Sequence, residues 1–227
     1  MTANQKDISV SKRLYESVQE IWESYHQHSF VQGIGKGDLA MDRFRFYMLQ
    51  DYLYLYDYAK VFALGVVKAK DPNLMRFFAD NVDQILNGEM KIHQSYMNRL
   101  GITKDEVANA RKSPANDSYT NYMLSIGFQG DVAEITAAIL SCSWSYQEIG
   151  SRIVSAHPQS LTHDFYGEWV QGYTSKEYVD TNDALLVMMD SLARDYSEDQ
   201  IQNLMTIFVN CSLYERMFWD MAWNMEY

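Results

Sequence analysis

Apolar residues recur at steps of three and four along most of this chain, the period of a helix with one face turned to a core. Behind Asp38, an expected N-cap, a run from Leu39 to about Lys70 places Phe44, Met48, Leu55, Phe62 and Val66 on that period. Prolines occur only at Pro72, Pro114 and Pro158, so long helices can form between them. The pattern predicts a helix from Asp71 and Pro72 to near Gly101, where glycine suits a C-terminal cap. Thr103 and Glu106 form a capping box that opens a short helix. Further helices are predicted from Asp131 to about Ser155, Leu161 to Val170, Lys176 to Asp195 and Ser197 to Asn224. No alternating strand pair, hairpin turn or fixed-period repeat competes, so the expected fold class is all-α, with residues 1–227 as a single domain. The cluster Gly33, Gly35 and Gly37 follows a helix and lacks the Gly-Lys-Ser/Thr ending of a phosphate loop, so it is expected to be a connector.

Composition narrows the class. The chain has 227 residues, 47% of them hydrophobic and 22% charged, enough apolar surface to fold as a globular body. A net charge of −11 disfavours nucleic acid and anionic membrane surfaces as partners. The longest mostly apolar stretch, around Ile135 to Trp144, is well short of the run of about 20 that spans a bilayer, and the polar first residues lack the apolar core of a signal peptide. A cytoplasmic location is therefore expected, with Cys142 and Cys211 as reduced thiols.

Polar groups on apolar helix faces carry the chemical information, because burying them is costly unless they are paired or used. Asp51 lies among Tyr47, Met48, Tyr54 and Leu55 at helical spacing. Glu215 shares a stripe with Leu204, Phe208, Cys211, Phe218 and Ala222, surroundings that favour its protonated form when no cation is near. Cys142 falls in line with Ile135, Ile139, Tyr146, Ile149 and Ile153. Residue types alone leave each one open between packing and catalysis. The 17 tyrosines suit a pocket that stacks a flat ring, though tyrosine also serves ordinary packing. Glu23 with His26, and Glu89 with His93, have the spacing of helix-borne metal ligands, so a di-iron centre competes, although its second Glu-x-x-His pair is missing. His26 as a haem ligand is a further alternative.

Taken together, several segments closely resemble the TenA, or thiaminase II, family: Phe30 to Gly35; Met48, Gln50, Asp51 and Tyr54; Ser118 and Tyr119; Ala133 and Glu134; Cys142-x-x-x-Tyr146 through Gly150; and Tyr214, Glu215 and Trp219 through Ala222. The resemblance runs from about Leu14 to Trp223. It implies a fold similar to haem oxygenase, used without haem or any other cofactor or metal and assembled as a homotetramer. The implied activity is hydrolysis of 4-amino-5-aminomethyl-2-methylpyrimidine to the hydroxymethyl pyrimidine and ammonia, together with cleavage of thiamine, in thiamine salvage; a non-catalytic pyrimidine-binding regulator on the same fold is the alternative beside the di-iron oxidase. By the same resemblance Cys142 is the nucleophile and Glu215 the acid/base group. Asp51 grips the amino edge of the pyrimidine, and Tyr54, Tyr119, Tyr146 and Tyr173 line the pocket. Ser141 departs from the proline common before the cysteine.

Overall fold

A computed structural model describes residues 9–227. The helices run in chain order as α1 (Val10–Gln27), α2 (Ser29–Lys36), α3 (Met41–Lys68) and α4 (Pro72–Asp83). A π-helical segment, Gln84–Glu89, joins α4 to α5 (Met90–Arg99), followed by α6 (Lys104–Asn109), α7 (Pro114–Gln129) and α8 (Val132–Ala156). After a 3₁₀ turn at Pro158–Thr162 come α9 (Gly167–Thr174), α10 (Lys176–Leu192) and α11 (Glu198–Asn224). No strand occurs among the described residues, so the all-α expectation holds.

Several boundaries differ from the sequence reading for local reasons. α3 opens behind Ala40 rather than Asp38; its first-turn carboxylate is Asp42, which offsets the partial positive charge of the helix start. Gly33 and Gly35 lie inside α2, and only Gly37 is a connector, left-handed at φ 79° with its N–H bonded to the Ile34 carbonyl at 3.1 Å. The expected helix from Leu161 to Val170 is split, because His163 Nδ1 accepts the N–H groups of Phe165 and Tyr166, each at 3.1 Å, and turns the chain before α9. α7 was not expected at all. Ser113 caps it by accepting from Asn116 N–H, and Pro114 stands in its first turn.

The described chain divides into two compact units. One comprises the described residues up to Gly37 together with Thr136–Leu213, and the other Asp38–Ile135 with Tyr214–Tyr227.

In the first unit, α1 buries Leu14, Val18, Trp22 and Tyr25 along one stripe. Trp22 lies edge-on to Trp144, ring centres 5.3 Å apart, and 5.7 Å from Phe208. Its indole N–H donates to Ser212 Oγ at 3.1 Å, which lies 3.1 Å from Ser141 Oγ, so this tryptophan is packed and hydrogen-bonded at once.

In the second unit α3 is the central element, buried around most of its girth over residues 46–52 and longer than 40 Å at about 1.5 Å per residue. Gly65 makes room on it for Phe78 of α4, since a Cβ there would lie 2.5 Å from the Phe78 ring. Gly65→Ala would gain about 1 kcal/mol of helix propensity. Overpacking against a fully buried ring typically costs about 1–3 kcal/mol. A net loss on the order of 1 kcal/mol is expected, lowering Tm by about 2–4 °C. Gly172→Ala, with open space at its Cβ, is the control that should not lower Tm.

Candidate active site

Asp51 is held by its own unit. It is buried on α3, and His93 of α5 places Nε2 2.7 Å from its Oδ2. The other ring nitrogen, Nδ1, faces the Glu89 carbonyl at 3.1 Å. A carbonyl only accepts, so Nδ1 carries a proton, and donation to the Asp51 carboxylate needs a second proton on Nε2. Burial pushes the His93 pKa down, but the hydrogen bond and charge of Asp51 outweigh it and leave the pKa raised. Gln50, the residue before Asp51, donates to the Arg111 carbonyl at 2.9 Å and accepts from Ser113 N–H at 2.9 Å, so the loop before α7 is fastened to α3 beside the carboxylate. Asp57 adds an ion pair at 2.7 Å with Lys112 of that loop.

The aromatic groups of this unit form a continuous set. Tyr54 lies 5.4 Å from Tyr119 and 5.8 Å from Phe218, and Tyr119 stacks on Tyr214 at 5.8 Å. Glu215 is buried on α11 between Tyr214 and the fully buried Trp219, whose ring stacks on Tyr47 at 5.8 Å.

In the first unit, Cys142 is a buried thiol on α8, with 8% of the residue exposed. The helix around it is fixed by hydrogen bonds to its backbone. The Ser143 carbonyl accepts from Tyr178 OH and from Asn182 Nδ2, both of α10, at 3.1 Å each. One turn beyond the thiol, Tyr146 packs against Tyr173 at 4.8 Å, and Trp169 lies 4.7 Å from Tyr173. An aromatic wall therefore adjoins the sulfur-bearing turn. Cys211 is fully buried on α11.

Asp51, Glu215 and Cys142, read from periodicity, are buried, and so are the tyrosines the resemblance assigns: Asp51, Tyr54, Tyr119 and Glu215 lie in one unit, Cys142, Tyr146 and Tyr173 in the other. Tyr54 meets Tyr119, and Tyr146 meets Tyr173. The residue that sequence reasoning missed is His93 as the partner of Asp51. Its spacing from Glu89 pointed to metal ligation, whereas both ring nitrogens are engaged by Asp51 and the Glu89 backbone. Among the described residues, no three His, Cys, Asp or Glu side chains come together as a metal site.

Residues 15–225 match the TENA/THI-4/PQQC family, and the chain belongs to it. It is 49% identical over 217 residues to an aminopyrimidine aminohydrolase of Helicobacter pylori, covering 96% of this chain and 100% of that one. Its fold matches a TenA homologue from P. horikoshii OT3 with a TM-score of 0.86 at 28% identity, over 96% of this chain and 99% of that one. A domain of unknown function with a heme oxygenase-like fold from Shewanella denitrificans shares the fold, with a TM-score of 0.76 at 16% identity over 94% and 92% of the two chains.

Proposed function

We propose that the protein is an aminopyrimidine aminohydrolase. It takes 4-amino-5-aminomethyl-2-methylpyrimidine and water to the hydroxymethyl pyrimidine and ammonia, cleaves thiamine to the same pyrimidine and the thiazole alcohol, and serves thiamine salvage in the cytoplasm. The observation that carries this reading is the likeness, over the whole length of the H. pylori aminopyrimidine aminohydrolase, of a chain with a buried thiol and two buried carboxylates at the expected positions.

In this reading the Cys142 thiolate adds to the electron-poor pyrimidine ring, and the ring's electrons expel the amine from the 5-methylene carbon. Glu215 gives that amine its proton. Water then adds to the exposed methylene carbon, Glu215 takes up the water's proton, and the ring expels the thiolate. The step is acid–base catalysis of a kind that typically contributes about 10²- to 10⁴-fold. Asp51, fixed through one oxygen by His93, pairs with the amino edge of the pyrimidine and orients it. Tyr54, Tyr119, Tyr146 and Tyr173 are assigned to substrate binding by the family resemblance.

The test is ammonia release from the aminomethyl pyrimidine, run beside thiamine and repeated in chelator. One equivalent of ammonia per hydroxymethyl pyrimidine, undiminished by chelator, is expected. No product from either compound would refute the reading, and loss of activity in chelator would return the di-iron alternative. A homotetramer belongs to the same proposal, and light scattering should give the mass of four chains.

A further inference from the structure

A cavity lies in the first unit, lined by Glu23 and His26 but by none of the residues placed in the proposed reaction. Its volume is about 340 Å³, enough for a monocyclic organic molecule, and its walls come from the end of α1, from α2 and from the end of α8. Val31, Ile149 and Ile153 make an apolar floor. On the polar side Arg152 pairs with Glu23 at 2.6 Å, both side chains about half exposed, and His157 lies against Gly35. His26 completes the wall. It is 8% exposed, and neither ring nitrogen has a hydrogen-bond partner.

A buried imidazole with two unmet nitrogens is costly, because each nitrogen has given up its hydrogen bonds to water without a replacement. Both nitrogens are shut off from solvent, so a molecule that reaches them must first part a neighbouring contact. The weakest one at hand is the Glu23–Arg152 pair, since half-exposed ion pairs contribute little to stability. Once Glu23 leaves Arg152 and Gln27 and swings into solvent, the titratable groups left lining the cavity are Arg152, His26 and His157, with Glu148 of α8 the remaining carboxylate that acts on Arg152. That balance favours an anion, and the floor favours an apolar body behind it.

We propose that this cavity is a second binding site, for a small organic anion with an apolar body whose acid group replaces Glu23 on Arg152 and hydrogen-bonds His26. The proton count follows from the surroundings of His26. Burial first, and then the charge of Arg152, hold its pKa down at about 4 against a weaker opposite pull from Glu23, so the empty site holds a neutral ring at pH 7. An anion beside it stabilises the imidazolium. Binding therefore takes up a proton, and affinity rises as the pH falls from about 7 to about 5.5.

Benzoate and phenyl phosphate, which share an acid group on an apolar ring, are the probes. Each is titrated into the full-length protein by calorimetry and by NMR of labelled histidine, with the His26 signal assigned by its loss in His26→Asn. At least one probe is expected to bind, to move the His26 resonances and to raise its pKa; the stronger of the two tells carboxylate from phosphate recognition. Arg152→Gln should weaken that binding at least tenfold, while Glu23→Gln should leave it equal or tighter. Ammonia release by Arg152→Gln at the wild-type rate would confirm that the variant is folded, and Glu23→Gln provides a second exposed substitution if it is not. A silent His26 with both probes, binding that survives Arg152→Gln, or binding weakened by Glu23→Gln would each overturn the proposal, leaving a cavity that holds only water.

Discussion

Cys142→Ser protein is expected to release essentially no ammonia, with turnover down by about 10³-fold or more, while its fold and melting temperature stay close to wild type. The two side chains differ little in size, and the turn that carries residue 142 is anchored through the Ser143 carbonyl to Tyr178 and Asn182. What changes, in the proposed mechanism, is the nucleophile. A thiol of ordinary pKa is a few per cent thiolate at pH 7 and strongly nucleophilic in that form, whereas a serine hydroxyl is almost wholly protonated and needs a dedicated base. Single-turnover measurements of ammonia release compare the two proteins directly. Turnover unchanged in Cys142→Ser would remove the covalent mechanism. Cys211→Ala is the companion measurement: this fully buried cysteine on α11 has a packing role, so the variant should lose some stability and keep its activity.

His93→Leu should cost about 3–5 kcal/mol of folding stability, because it strips the cation from a carboxylate that stays buried. Both side chains are at most 6% exposed, so solvent screening gives little relief. The pH dependence carries the sign. The folded-state pKa of His93 is raised, so the stability its protonation contributes is fully present below the ordinary histidine pKa and is lost as the pH rises through the raised value. The stability gap between wild type and His93→Leu, measured by urea unfolding, should therefore narrow toward alkaline pH. His93→Gln, which keeps a donor for Asp51, should recover part of the stability and raise KM more than it lowers kcat, since Asp51 would lose its fixed orientation. A folded His93→Gln protein with unchanged KM would show that Asp51 does not grip the substrate.

Burial was legible along most of the periodic stripes, although Val66 at the end of the α3 stripe is only half-buried. The stripes through Cys142 on α8 and Glu215 on α11 are buried as their spacing required, from Ile135 to Ile153 and from Leu204 to Ala222. α7 was illegible because its buried face is made of Asn116, Tyr119, Thr120, Met123 and Gly127, three of them polar or small. What makes that face a core surface is supplied from elsewhere in the chain: Gln50 for Asn116, and Lys112, at 2.7 Å, for Thr120. The same limit hid His93. Spacing along one helix displayed Glu89 and His93 together, but the partner that decides the histidine's role lies 42 residues away on α3. Local cues failed similarly at Asp38 and at Leu161, where a capping residue and an apolar run were present but the backbone turned instead.

The π-helical turn at Gln84–Glu89 makes that histidine's aim a matter of phase. Each residue of an α-helix advances the chain by about 100° around the axis, and a π-turn absorbs one more residue than an α-turn before the next helix resumes. Deleting a single residue from this segment would let α4 run into α5 as one regular helix, and would rotate every side chain downstream by about that angle. His93 would then swing off Asp51 although no residue of the pair had been altered. The aim of the pair thus depends on how many residues separate Asp83 from Met90, a count that substitutions leave intact and a one-residue insertion or deletion does not.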